Sequence, residues 1–162
     1  MLHWRAAETA KSTGVGRGGE RGWKGIMDDL DELRDLARRE LGDLPVVLFG
    51  HSMGSFLAQR YVQLHGDELI GLVLSGSSGG LADLDASIEG LQAFADAGAA
   101  DEPVPILGPF NAAFEPARTP FDWLSRDESE VDKYVADPMC GDSAPLTIGF
   151  VLDMMRNGAE TW

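Results

Sequence analysis

Apolar residues in the first part of the chain recur with the period of a helix. Between Trp23 and about Leu41 they return three and four positions apart, with charged side chains between them. This spacing predicts an amphipathic helix packed on an apolar surface. Gly42 follows the last turn, where Arg38 and Arg39 favour the negative end of the helix dipole, and it therefore marks the end of the helix.

Two short, unbroken apolar runs follow and predict two strands. Residues 45–49 and 69–74 are rich in branched side chains, which favours strands covered on both faces, as in a parallel sheet. Between the runs, apolar residues at helical spacing continue from Phe56 to Leu64, and Gly66 ends that helix. Strand, turn, helix and strand within about thirty residues predict a βαβ crossover and an α/β fold.

The second half of the chain has a different pattern, with helices and no convincing strand. Helical spacing recurs in three short segments, residues 88–95, 128–135 and 148–155, and proline-containing loops separate them. We therefore predict two parts, a parallel-sheet core over residues 1–80 and a helical segment over residues 81–162.

Charge and cysteine content exclude several kinds of partner and site. The 27 acidic and 13 basic side chains give a formal net charge of −14, which repels nucleic acids and anionic membranes. Cys140 is the one cysteine, which excludes an internal disulfide and predicts a small, partly buried thiol. The first residues lack the apolar core of a secretory signal, and no run is long enough to span a membrane, so we expect a cytoplasmic protein.

The segment between the first predicted strand and the next helix reads Gly50-His51-Ser52-Met53-Gly54. A tight strand-to-helix turn strains its central residue, and small residues are expected at Gly50 and Gly54 because larger side chains would collide with neighbouring elements. Such a turn presents the Ser52 hydroxyl above the sheet at the positive end of a helix. The Met53 N–H is expected to donate to the oxyanion of a tetrahedral intermediate. The pattern predicts a nucleophilic serine, because both flanking elements are present in the sequence.

Residues 46–55 resemble the nucleophile elbow of α/β-hydrolases of the monoacylglycerol lipase and lysophospholipase type, which include bacterial serine aminopeptidase-like members. Residues 72–76 fit the same layout, and residues 81–162 lie where that family has its substrate-covering cap. Residues 121–138 are similar to cap sequences of bacterial relatives. The resemblance implies a partial α/β-hydrolase fold and hydrolysis of carboxylic esters of monoacylglycerols or lysophospholipids through an acyl-enzyme on Ser52. It implies a small-molecule ester or lipid substrate, with no metal or organic cofactor.

The resemblance also implies two triad residues that this chain does not supply. The family takes its acid and then its histidine from loops after the cap, whereas the three histidines here are His3, His51 and His65. His51 is predicted to pack beside the turn, and His65 to end its helix as a favourable cation. Four aspartates are candidate acids, without a basis for choosing among them: Asp83, Asp122, Asp137 and Asp153. We expect a chain truncated at both ends, inactive alone, with an unpaired sheet edge.

Two other functions remain open. The missing triad histidine favours a catalytically inactive relative that acts as a binding module. Thioester, amide or peptide hydrolysis is the other possibility, because many acyl-transfer reactions share this fold and nucleophile. Apolar residues of the helical segment are candidates for an acyl pocket, although ordinary packing explains them almost as well: Phe94, Ile106, Leu107, Phe110, Phe114, Phe121 and Trp123.

Overall fold

The computed structural model describes residues 18, 21–80, 83–104, 108–138, 140, 145–158 and 160–161. The first half contains helix α1 (Gly22–Leu41), strand β1 (Val47–His51), helix α2 (Met53–His65) and strand β2 (Gly71–Ser75). The second half contains helices α3 (Leu84–Phe94), α4 (Glu128–Ala136) and α5 (Ile148–Gly158). Short 3₁₀ segments at Gly66–Glu68, Gly108–Phe114 and Asp122–Leu124 and a π-helical segment at Ala95–Ala99 connect these elements. The helices and strands predicted from the sequence are thus confirmed, and both strands begin two residues later than the apolar runs.

Strands β1 and β2 are parallel, which confirms the predicted βαβ unit. Val47 lies opposite Gly71 and His51 lies opposite Ser75. The ladder extends beyond both ends of the strands, because Ile70 N–H donates to Val46 O at 2.9 Å and Ser52 N–H donates to Ser75 O at 2.9 Å. Within the described part of the chain the sheet consists of these two strands, so the expected unpaired edge is present.

The expectation that both faces of the sheet are covered is wrong. Helix α2 packs on the face that includes Leu48 and Gly50. On the opposite face Val47 is 55% exposed and Phe49 is 63% exposed. Alternating side chains of a strand point to opposite faces, so a single covering helix buries only every second residue of β1.

The hydrophobic core lies where three helices meet rather than on both sides of the sheet. Its buried members come from the first turns of α1, from α2 and from α5: Trp23, Ile26, Met27, Leu57, Tyr61, Phe150, Val151 and Met154. The second half of α1 does not take part, since Leu36 is 40% exposed and Leu41 is 57% exposed. Because α5 packs into the same core as α1 and α2, this helix of the predicted cap is tightly joined to the first half, and a boundary near residue 80 remains a prediction.

The two ends of α1 are held by specific contacts. At its start, the Asp153 carboxylate of α5 accepts a hydrogen bond from Trp23 N–H at 2.6 Å and another from the Asn157 side chain at 2.9 Å. At its end, Gly42 has a φ of 81° and its N–H donates to Arg38 O at 3.0 Å. The left-handed conformation at Gly42 confirms the predicted termination of the helix.

Cys140 is half-buried, as predicted. None of the described helices combines the length and low charge that crossing a membrane requires. No cluster of three or more histidine, cysteine or acidic side chains in the described part of the chain is arranged to hold a metal ion.

Candidate active site

Ser52 occupies the turn between β1 and α2 in a strained backbone conformation. Its φ is 52° and its ψ is −123°, a region that residues with a side chain rarely adopt. Strain of this kind costs about 1–3 kcal/mol and persists only where the surroundings enforce it. The serine is exposed, at the first turn of α2. The strand–turn–helix geometry predicted from the sequence is therefore present.

Hydrogen bonds to both backbone groups of Ser52 hold this conformation. Its N–H donates to Ser75 O at 2.9 Å. Its carbonyl accepts from Ser55 N–H at 2.8 Å and from the Ser55 hydroxyl at 2.6 Å. Ser55 is fully buried. The contribution of Ser55 was not foreseen from the sequence, although a serine in the first helical turn often bonds a nearby backbone group.

The two glycines of the turn differ in their surroundings. A Cβ at Gly50 would press on the carbonyl oxygen of Gly54 and lie 2.8 Å from the Ala58 Cβ, so the predicted need for a small residue is confirmed there. A Cβ at Gly54 would meet no described atom within 4 Å, apart from its own helix backbone. The same expectation is therefore wrong for Gly54, because no described element approaches that side of α2.

The His51 ring packs beside the turn, against the end of β2, as predicted. Its Nδ1 lies 3.1 Å from the Ser75 hydroxyl. Gly76, with a φ of 58°, turns the chain away after β2, and a Cβ at this position would lie 3.4 Å from His51 Cε1. The end of β2 therefore contacts both His51 and Ser52.

The Gln59 side chain ties the loop after β2 to α2. The Gln59 amide donates to the Ser77 hydroxyl and to Ser78 O, both at 2.9 Å. Gln59, Ser75 and Gly76 were not foreseen as contributors to the site. No local pattern marks them, because their contacts depend on the strand pairing.

Met53 is the first residue of α2, and its side chain packs against the hydrophobic core. A residue at the first helical position has no acceptor for its N–H within the helix. This N–H is therefore available to an oxyanion above the turn, and its role as a donor remains a prediction.

Comparison with known proteins decides the family. A family model described as serine aminopeptidase, S33, matches residues 10–162. The chain belongs to this family of α/β-hydrolases.

Two solved structures resemble this α/β-hydrolase chain. A highly thermostable carboxyl esterase from Bacillus coagulans, in complex with glycerol, superposes with a TM-score of 0.77 at 29% identity, over 98% of this chain and 55% of the esterase. A monoacylglycerol lipase from Paleococcus ferrophilus gives a TM-score of 0.50 at 19% identity, over 92% of this chain and 51% of the lipase, and supports the fold alone. The chain thus spans about half the length of these structures. No curated protein sequence matches it significantly.

The two described histidines, His51 and His65, have partners other than Ser52. In the described part, no hydrogen bond joins Ser52 to a histidine, and the His51 ring is bonded to Ser75. His65 ends α2, with Nε2 3.4 Å from Asp31 Oδ1 and Nδ1 3.5 Å from Glu68 Oε1. His3 lies outside the described residues.

His65 belongs to a polar cluster between α1 and α2. The Tyr61 ring lies 4.6 Å from the His65 ring, and the Tyr61 hydroxyl donates to Asp31 at 2.9 Å. Burial of Tyr61, together with this hydrogen bond, raises the pKa of its hydroxyl to about 12. Arg34 donates to the Tyr61 hydroxyl at 3.1 Å and to Glu68, in the turn after α2, at 2.9 Å, so the cluster joins α1 to α2 and to that turn.

The four candidate acids lie at helix ends, in a turn and in the helix α5, where most have identifiable structural roles. Asp83 precedes α3 with a φ of 55°, and Asp137 follows the last residue of α4. The Thr119 hydroxyl, 2.6 Å from Asp122, and nearby backbone N–H groups hold the pKa of that carboxyl below its usual value. Asp153 caps α1. The choice of a triad acid therefore stays open.

The aromatic residues considered for an acyl pocket have different environments. Phe121 is buried, with its ring 5.2 Å from that of Tyr134. The Phe110 ring lies 5.1 Å from the Trp123 ring, although Phe110 is exposed. Phe94 and Phe114 are exposed, and Ile106 and Leu107 lie outside the described residues. Packing within the helical segment explains Phe121, and an acyl pocket stays a prediction.

Proposed function

We propose that this chain supplies the nucleophile, Ser52, of a serine hydrolase that cleaves carboxylic esters of the monoacylglycerol or lysophospholipid type. The observation behind this proposal is the φ of 52° at an exposed serine between a parallel strand and a helix. A conformation that costs free energy and yet is held by several hydrogen bonds is typical of a functional site. Family membership and the likeness to a carboxyl esterase favour acyl transfer.

In the proposed reaction the Ser52 hydroxyl oxygen attacks the ester carbonyl carbon while a histidine accepts the hydroxyl proton. The carbonyl oxygen becomes an oxyanion, which the Met53 N–H and a second donor stabilise, each by about 3 kcal/mol. The tetrahedral intermediate then expels the alcohol, which takes the proton from the histidine. Water, deprotonated by the same histidine, attacks the acyl-enzyme to form a second tetrahedral intermediate. Its collapse releases the carboxylic acid, and the histidine returns the proton to the Ser52 oxygen.

We propose that the histidine, the acid and the second oxyanion donor come from parts of the fold that this chain does not span. The His51 and His65 rings have other partners, and the matched structures are about twice as long as the chain. On this view residues 1–80 form the nucleophile-bearing part of the core and residues 81–162 form the cap, and the chain alone is inactive.

Two observations favour other functions. The family is described as serine aminopeptidase, which favours amide or peptide hydrolysis. The lack of a histidine bonded to Ser52 in the described residues favours a binding module without catalysis. We rank ester hydrolysis first, because the structure that superposes on 98% of this chain with a TM-score of 0.77 is a carboxyl esterase.

The test is a rate measurement on a protein in which the chain is joined to the remaining strands of the fold. We expect hydrolysis of p-nitrophenyl esters, loss of that hydrolysis in Ser52→Ala, and full activity in Ser87→Ala, a matched change at a half-buried serine of α3. Activity that survives in Ser52→Ala would rule out the proposed nucleophile. Faster cleavage of p-nitroanilides than of esters would instead assign the site to amide hydrolysis.

A further inference from the structure

Ser75 contacts two successive residues of the turn, the side chain of His51 and the backbone of Ser52. Its carbonyl oxygen accepts from Ser52 N–H at 2.9 Å, and its hydroxyl lies 3.1 Å from His51 Nδ1. We infer that Ser75 is a positioning residue, whose side chain holds the ends of β1 and β2 together beside Ser52 and so preserves the hydrogen bond of the Ser52 amide. The inference rests on the proposed function of Ser52 as nucleophile and adds a residue that holds it in place.

The geometry explains why two contacts are needed. The peptide plane between His51 and Ser52 can rotate through ψ of His51 and φ of Ser52, and relaxation of Ser52 toward an ordinary conformation requires this rotation. The carbonyl of Ser75 holds the amide end of the plane. Rotation of the plane leaves the His51 ring in place, but the bond from that ring to the Ser75 hydroxyl ties the end of β1 to the end of β2, which keeps the Ser75 carbonyl in position to accept from Ser52 N–H.

Gly76 leaves room beside the His51 ring. Its φ is 58°, and a Cβ at this position would lie 3.4 Å from His51 Cε1. The ring is bonded by the Ser75 hydroxyl. Because a serine hydroxyl both donates and accepts, it can bond His51 Nδ1 whether or not that nitrogen has a proton.

Amide hydrogen exchange, measured by NMR on the chain itself, tests this role without requiring activity. In Ser75→Ala the backbone carbonyl remains and only the hydroxyl is lost. We expect the Ser52 amide to exchange roughly five- to tenfold faster, as the loss of one hydrogen bond predicts. We expect the His51 Nδ1 resonance to shift, and Ser75→Thr, which keeps the hydroxyl, to restore both signals.

Two controls distinguish a local effect of Ser75→Ala at Ser52 from a general loss of stability. The Ile70 amide, which donates to Val46 O at the opposite end of the same strand pair, should exchange at an unchanged rate. Ser77→Ala, the same change two residues further on, should leave Ser52 unaffected, because Gln59 still bonds Ser78 O.

An unchanged Ser52 exchange rate in Ser75→Ala would overturn the inference. Equal acceleration at Ile70 and Ser52 would also overturn it, because the hydroxyl would then stabilise the strand pair as a whole. These rates do not depend on ester hydrolysis, so a failure of the proposed function is detected separately in the activity assay.

Discussion

The backbone of Ser52 has φ and ψ angles that residues with side chains rarely adopt. Its N–H and C=O groups both form hydrogen bonds in this conformation. The strain costs about 1–3 kcal/mol, and each hydrogen bond returns about 0.5–1.5 kcal/mol. Three bonds, from Ser52 to Ser75 and from Ser55 to Ser52, are enough to offset a cost of this size. The turn is therefore held by neighbours from both α2 and β2.

Gly50 and Gly54 provide a matched pair of substitutions at this turn. Gly50→Ala brings a methyl group against backbone atoms of α2, and overpacking of this kind costs about 1–3 kcal/mol. Gly54→Ala enters open space within a helix, where alanine is favoured over glycine by about 1 kcal/mol. Urea unfolding should therefore show a lower midpoint for Gly50→Ala and an equal or higher midpoint for Gly54→Ala. Equal destabilisation by both would contradict the packing described for this turn.

Residues whose contacts lie close in sequence could be predicted, and residues whose contacts lie far apart in sequence could not. Ser52 and Gly50 were predicted because a strand-to-helix turn imposes its demands within five residues of sequence, Gly50 to Gly54. Ser75 and Gly76 were missed because they reach the turn only through strand pairing, with Ser75 24 positions from His51. The error at Gly54 has a similar cause, since its surroundings depend on what lies beside α2.

At the scale of elements, the Asp153 carboxylate links the start of α1 to α5. Asp153→Ala removes an acceptor from Trp23 N–H and from Asn157, and we expect a loss of about 1–2 kcal/mol in the free energy of unfolding. Glu89→Ala, which removes an exposed acidic group on α3, is the control and should change stability by no more than about 0.5 kcal/mol. Equal effects of the two changes in chemical denaturation would exclude a specific cap.

The Tyr61 side chain, which lies between α1 and α2, should make the free energy of unfolding depend on pH in the alkaline range. The pKa of Tyr61 is raised from 10.0 to about 12, so the folded protein holds the phenolic proton more tightly than the unfolded chain. The resulting stabilisation is complete below pH 10 and is lost as pH rises toward about 12. The free energy of unfolding of the wild type should therefore fall more steeply over this range than that of Tyr61→Phe. Parallel curves for the two proteins would show that Tyr61 has no such role.

Elements were easier to predict than their surroundings. The spacing of Trp23, Ile26 and Met27 marks a helix because helical geometry alone brings them to one face. The exposure of the Phe49 side chain could not be predicted in this way, because an apolar run fits a strand covered on one face or on both. The number of neighbouring layers decides between these cases, and it is a property of the whole fold.

For the whole molecule, the uncovered sheet face and the strong negative charge have opposite effects on association. Phe49, Val47 and Val73 present apolar surface, which favours association. The net charge of −14 opposes the approach of a second copy. The balance should depend on salt, because added salt screens charge repulsion and leaves the apolar surface unchanged.

Two substitutions on β1 test which face is covered. Phe49→Thr should reduce the fluorescence of the dye ANS bound to the folded chain and change stability by less than about 1 kcal/mol, because Phe49 is 63% exposed. Leu48→Thr, on the face packed by α2, should leave exposed apolar surface in place and cost about 1–2 kcal/mol. The reverse pattern would mean that the two faces have been assigned the wrong way round.

The chain matches its solved relatives over about half of their length. Under the proposed function, the triad partners of Ser52 come from the part of the fold that this chain does not span. The motif around Ser52 could be identified from sequence because it is local. The acid and histidine could not, since four aspartates in the chain are equally acceptable by sequence and their selection depends on a neighbouring histidine.

The most direct test of Ser52 as the nucleophile is intact-mass analysis after treatment with a fluorophosphonate, followed by peptide mapping. The protein is the chain joined to the remaining strands of the fold, with circular dichroism on the same sample to verify folding. We predict a single adduct located on Ser52, absent from Ser52→Ala and retained in Ser87→Ala. An adduct that persists in Ser52→Ala, or no adduct on the folded protein, would contradict the assignment.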